Sequence, residues 1–289
     1  MGYQCFDVSQ EGPVAHIVLN RPEKRNSMIP EFWDELPEIV RDIDENARAR
    51  AIVISSTGPH FSSGLDVSGF APGAARPERS DAEKRDARRT KGARFYDDVR
   101  RMQQSFSVLE SCRLPVLAAA QGGVIGGGVD LITACDMRYA TEDAFVTIFE
   151  TNIGMTADVG TFPRLVKLIP EGVVRELAYT GRRMPAREAQ EVGLINRVYA
   201  DQQAMLEGVF EIANEIASKA PLAVYGCKRM INYARDHSTA DGLDYIGIWN
   251  ASMLQPEEMA EAMMANREKR PGEFAELPKI RRTQSDDIL

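Results

Sequence analysis

Gly126-Gly127-Gly128-Val129-Asp130-Leu131-Ile132-Thr133-Ala134-Cys135-Asp136-Met137-Arg138-Tyr139 decides how the chain reads. An apolar run, Val116 to Ala120, precedes it and has the length of a buried strand. The glycines then break the strand, and Leu131 to Cys135 continues as an apolar helix. Glycine admits positive φ and lets backbone approach a ligand closely, and a helix N-terminus presents unpaired N–H groups. The cluster lacks the Lys-Ser/Thr ending of a phosphate-binding loop, and no GxGxxG register fits it.

Strand followed by turn and helix recurs on both sides of this run. Val14 to Leu19 is a strand ended by Asn20-Arg21-Pro22, and Ile52 to Ile54 is a second, stopped by Thr57-Gly58-Pro59. Asp136 to Ala140, Phe145 to Ile148 and Ile195 to Val198 are further short strands. Phe95, Val99, Met102, Phe106 and Leu109 put one apolar stripe along a helix. Val173 to Ala178 forms another, with Gly181 to end it; Pro185 opens a further helix that Gly193 closes. From Met205 onward the pattern is helical, with methionines gathered between Met253 and Met264. The expectation is an α/β core over residues 1–204 and a helical C-terminal region over 205–289. Ala71 to Arg94 is polar and reads as a solvated loop leading into a helix, or as a flap beside a ligand entrance.

Composition narrows the function classes. A net charge of −8 argues against a nucleic-acid phosphate binder. Cys5, Cys112, Cys135 and Cys227 show no CxxC spacing, and His16, His60 and His237 form no HExxH pair, so neither a metal site nor a disulfide framework is expected. No apolar stretch reaches membrane-spanning length. The N-terminus shows no secretory pattern and the final Asp-Ile-Leu is not a peroxisomal address, which reads as a cytoplasmic protein.

A second glycine turn, His60-Phe61-Ser62-Ser63-Gly64-Leu65-Asp66, also follows a strand. Either turn alone fits a structural tight turn; together they suggest two N–H donors gripping one oxygen. Asp130, Glu150 and Asp158 follow, the last two flanking the largely apolar stretch Thr151 to Ala157. If both enter an apolar cavity, desolvation and repulsion raise at least one pKa, leaving one acid as base and another protonated.

These motifs resemble the crotonase superfamily, and within it the Δ3,5-Δ2,4-dienoyl-CoA isomerases. The likeness is carried by Phe61 to Asp66, Ile125 to Tyr139, Gly154 to Thr161, Arg235 to Ser238, Leu243 to Tyr245 and Trp249 to Gln255, and it spans roughly residues 5 to 270. It implies a crotonase-like (ClpP/crotonase) spiral of ββα units whose C-terminal helices cover the site and build homotrimers or hexamers. It implies an oxyanion hole from the Leu65 and Gly127 N–H groups, and a coenzyme A site at Arg25, Ser62, Ser63, Gly64, Leu65, Asp66 and Gly127. Catalysis would fall to Glu150, Asp158 and Asp130. Glu150 matches the family's acid/base glutamate, Asp158 the subgroup's second acid, and Asp130 stands where hydratases place a glutamate. The implied reaction converts 3,5-dienoyl-CoA to 2,4-dienoyl-CoA, with no cofactor beyond the coenzyme A of the substrate, and fatty-acid β-oxidation is its natural setting. The rival readings are an enoyl-CoA hydratase, a Δ3-Δ2-enoyl-CoA isomerase, and a non-catalytic acyl-CoA binder on the same fold.

Overall fold

A computed structural model describes residues 2–68 and 80–280. In chain order its strands are β1 (Phe6–Glu11), β2 (Val14–Leu19), β3 (Ala51–Ser56), β4 (Val116–Ala120), β5 (Gly123–Ile125), β6 (Met137–Thr141), β7 (Phe145–Thr147), β8 (Met184–Pro185) and β9 (Arg197–Tyr199). The first five helices are α1 (Phe32–Glu45), α2 (Asp81–Ser111), α3 (Gly127–Ala134), α4 (Thr161–Leu165) and α5 (Glu171–Thr180). They are followed by α6 (Ala186–Glu191), α7 (Gln202–Ala217), α8 (Pro221–Ala234), α9 (Thr239–Met253) and α10 (Pro256–Glu268).

Six strands make one sheet in the order β1-β2-β3-β4-β6-β9, parallel except for the β1–β2 hairpin. A parallel sheet has helices on both faces, so its strands read as near-continuous apolar runs rather than alternating ones. β3 and β4 show this. Ile52, Ile54, Val116 and Ala118 join the core under α1 and α2, whereas Ala51, Val53, Leu117 and Ala119 face Met205, Val209 and Ala213 of α7. The helical C-terminal region therefore begins with a helix that closes the sheet. After α10 the chain turns non-helical, and Leu277 returns to the core beside α1, where the Ile280 N–H donates to the Glu45 carbonyl.

A smaller sheet, β5-β7-β8, stands apart and carries the glycine turn. The loop after β3 is laced to it: Ser62 N–H donates to the Gly123 carbonyl (3.1 Å) and Ile125 N–H to the Ser62 carbonyl (3.0 Å). Chain segments leaving the carboxyl ends of β3 and β4 thus meet at one place, where open α/β sheets put their ligands.

The polar segment is corrected in part. Residues 81–94 are the first turns of α2, started by a capping box in which the Ser80 hydroxyl accepts from Glu83 N–H and Glu83 accepts from Ser80 N–H. This half projects as a polar helix, with Phe95 still 55% exposed, so no apolar stripe announces it. The rest of the expected loop or flap, residues 71–79, lies outside the described residues.

Candidate active site

The two glycine turns come into contact. A Cβ on Gly64 would lie 2.9 Å from the Gly127 nitrogen and 2.7 Å from the Ile125 carbonyl oxygen, and one on Gly127 would lie 3.5 Å from the Leu65 nitrogen. Gly64 also has a φ of +78°, so both its conformation and its closeness call for glycine. Leu65 bridges to Met28 through the amides on either side of it: Met28 N–H donates to the Gly64 carbonyl and Asp66 N–H to the Met28 carbonyl. The Leu65 N–H therefore points the other way, toward Gly127, the first residue of α3. Neither of these two N–H groups donates to an acceptor among the described residues.

Glu150 begins a short 3₁₀ turn after β7, and its carboxylate sits against the same helix start. A Cβ on Gly126 would be 3.0 Å from Glu150 Oε1. Oε2 is buried and has no partner among the described residues. Burial pushes the Glu150 carboxyl above the ordinary range, and the nearby Asp158 charge adds to the effect. Asp158 is half-buried and raised by desolvation as well, its carbonyl held by Gln103 Nε2 at 2.7 Å.

Asp130, 1% exposed, lies on the first turn of α3. Its Oδ1 accepts from both the N–H (2.6 Å) and the hydroxyl (2.8 Å) of Thr161. Desolvation dominates those two bonds, the Glu150 charge reinforces it, and the carboxyl is pushed up to about 7. Glu150 is thus within electrostatic reach of both aspartates. Thr161 carries no expectation from sequence, because nothing along the chain marks a partner thirty-one positions from Asp130.

The residues expected to hold coenzyme A fall into two sets. Arg25 is exposed in a left-handed turn, and its carbonyl accepts from Ser63 N–H (2.9 Å), which places it beside the second glycine turn. Ser63, Leu65 and Asp66 are half-buried on that turn. Ser62 and Gly64 are buried. The Ser62 hydroxyl donates to the Asn26 carbonyl (2.8 Å) and accepts from Gly64 N–H (3.0 Å), so this side chain shapes the turn. Asp66 accepts from Ser68 N–H and from the Ser27 hydroxyl, which hold its carboxyl below the ordinary range.

Beyond Asp158 opens a cavity of about 410 Å³ between α2, α4 and the end of α8. Asp158 and Gly160 line it, whereas Glu150, Leu65 and Gly127 do not. Among the described residues no His, Cys, Asp or Glu cluster is placed to hold a metal ion, and no helix is long and apolar enough to cross a membrane.

Comparison with known proteins gives the family and the fold. The enoyl-CoA hydratase/isomerase family model matches residues 9–277. The chain is 45% identical to a mitochondrial Δ(3,5)-Δ(2,4)-dienoyl-CoA isomerase of Mus musculus, over 93% of this chain and 81% of the mouse protein. It is 36% identical to the peroxisomal isomerase of that name from Arabidopsis thaliana, over 92% of this chain and 94% of the plant protein. Among solved structures, an enoyl-CoA hydratase from Bacillus anthracis superposes with a TM-score of 0.81 at 30% identity, covering 94% of this chain and 99% of the other. The organelles in the relatives' names overturn the cytoplasmic reading, which had rested only on the ends of the chain.

Proposed function

The chain belongs to the enoyl-CoA hydratase/isomerase family, and from that premise we propose that it converts 3,5-dienoyl-CoA thioesters to their 2,4-dienoyl isomers. The observation that carries the reading is the pair Glu150 and Asp158, both raised by desolvation on one segment next to the facing amides of Leu65 and Gly127. In the substrate a proton must leave C2 and another must arrive at C6, four carbons away. Glu150, as carboxylate, takes the C2 proton. The negative charge spreads from the thioester oxygen along the conjugated chain, and the Leu65 and Gly127 N–H groups stabilise it at the oxygen. Asp158, as neutral acid, gives its proton to C6. Raised pKa values serve both roles: Glu150 becomes a stronger base, and Asp158 keeps its proton nearer neutrality. The atoms balance without an oxidant or reductant.

Asp130 serves here as a buried neighbour that tunes Glu150. Hydration would ask it to activate a water, and the Oδ1 bonds to Thr161 leave it badly placed for that task. Coenzyme A would lie along Ser63 to Asp66 with Arg25 meeting its phosphates or adenine, and fatty-acid β-oxidation is the setting that such a reaction serves.

The test is an assay with 3,5-dienoyl-CoA, following the ultraviolet absorbance that appears when the diene joins the carbonyl. Wild type should turn over, and Asp158→Asn should lose about 10²–10⁴-fold in kcat, the usual share of a general acid, while still binding acyl-CoA. Rapid hydration of 2-enoyl-CoA that survives Asp158→Asn would overturn the reading in favour of a hydratase.

A further inference from the structure

Proton accounting leaves the catalytic pair in the wrong state after each cycle. Glu150 has gained a proton and Asp158 has lost one, so the next turnover requires Asp158 to be reloaded. We propose that the cavity beside Asp158 is the route by which this carboxyl regains its proton from solvent. The inference rests on the isomerase reading.

The cavity has the dimensions and walls for that task. At about 410 Å³ it has room for on the order of ten waters, each needing roughly 30 Å³. Its outer wall is exposed Arg100, Gln104, Lys167 and Asp236, and its inner wall runs through half-buried Ser107 and Glu110 to Asp158. Ala157, Val159, Phe162 and Pro163 also line it, so the polar path is the stretch from the rim through Ser107 and Glu110 to Asp158. The carboxylates other than Asp158 are already paired. Glu110 is paired with Arg164 (2.7 Å) and Arg235 (3.1 Å), and Lys167 with Asp236. Arg100 and one of the two arginines on Glu110 are in excess, so the lining holds more cations than carboxylates and leaves no free carboxylate besides Asp158 to trap a proton. Glu150 does not line the cavity, and its Oε2 is enclosed.

Two measurements test the route. With substrate deuterated at both C2 positions and reacted in ordinary water, product should carry protium at C6 in nearly every molecule. Deuterium passing from C2 to C6 would show an internal return from Glu150 to Asp158 and overturn the proposal. In the second, Ser107→Leu narrows the cavity, with Gln104→Leu at the rim as the variant to use if the first does not fold. The ratio of steady-state to first-turnover rate should fall about ten-fold, and a small weak acid such as formic acid should restore it. An unchanged ratio in a folded variant would sink the route while leaving the isomerase intact. Absence of any dienoyl turnover by wild type would remove the isomerase reading, and this one with it.

Discussion

Asp130 and Asp158 are the same chemical group on either side of Glu150, and their surroundings give them different work. Asp158 is half-buried and lines a cavity whose rim is exposed, the path by which the proposed route replaces its proton. Asp130 is sealed in, and its titration is linked to folding. Its pKa is about 7 in the fold against an ordinary 3.8, so the unfolded chain loses this proton near pH 4 and the folded chain keeps it to near pH 7. The unfolded state binds fewer protons in that window, and stability falls as pH rises through it before levelling. Each unit of such a shift is worth about 1.4 kcal/mol. Asp130→Asn cannot ionise, so its urea midpoint should drop less between pH 5 and pH 8 than that of wild type. Identical drops would mean that Asp130 ionises as easily in the fold as outside it. The acids themselves are legible in sequence as acids flanking apolar, glycine-containing chain. The side chains that hold them are not, because Gln103 and Thr161 reach Asp158 and Asp130 only across the fold.

Elements whose residues repeat with a regular period are legible; elements held by tertiary contact or by caps are less so. β2 and β4 fall where their apolar runs predict; β4 is buried along its whole length with no polar residue, and in β2 only His16 interrupts the run. β1 gives no such signal, with only Phe6 of its six residues buried. α1 has an apolar face, yet Pro37 lies inside it and discourages a helix reading. The polar first half of α2 is stabilised by its capping box and by pairs such as Lys84–Asp81, neither of which makes a stripe. Glycines separate into two kinds on the same grounds. Gly64→Ala must push a methyl toward the Gly127 nitrogen and the Ile125 oxygen from a positive-φ position. It should part the two amides and lower kcat by about 10²–10³-fold, the usual loss of an oxyanion donor. Gly172, inside α5 with nothing near its would-be Cβ, is the matched control. Gly172→Ala should keep full activity and gain about 0.5–1 kcal/mol in helix stability. Equal activity for the two variants in a dienoyl-CoA assay would remove the glycine turns from the mechanism.

At the scale of the whole molecule, the chain from α7 onward is not uniform in its packing. α7 completes the core, and α8 is tied to the end of α2 and the turn after it by Lys228, which donates to the Leu109 and Leu114 carbonyls (both 2.7 Å), and by Asn232, which donates to the Glu110 carbonyl (3.0 Å). α9 has no buried residue at all and meets the molecule mainly through α8, where Trp249 stacks edge-on against Tyr225. Along α9, Leu243 (67% exposed) and Ile246 share a face; along α10, Met259 and Met263 (68% exposed) do the same. Two successive helices with apolar side chains turned outward are costly in water, where burying one such side chain fully is worth about 1.5–3 kcal/mol. A second copy of the chain is the occupant we expect, as the resemblance to the crotonase superfamily implies. Sedimentation should therefore give a closed oligomer for wild type. Leu243→Glu places a charge in that contact and should release smaller species with unchanged helical content. If the reading of α9 as both contact and cover is right, dienoyl turnover should fall with dissociation and recover as protein concentration rises. A wild-type chain that sediments as a single copy at micromolar concentration would show that this apolar face is left in solvent, and would remove the subunit contact from any account of the site.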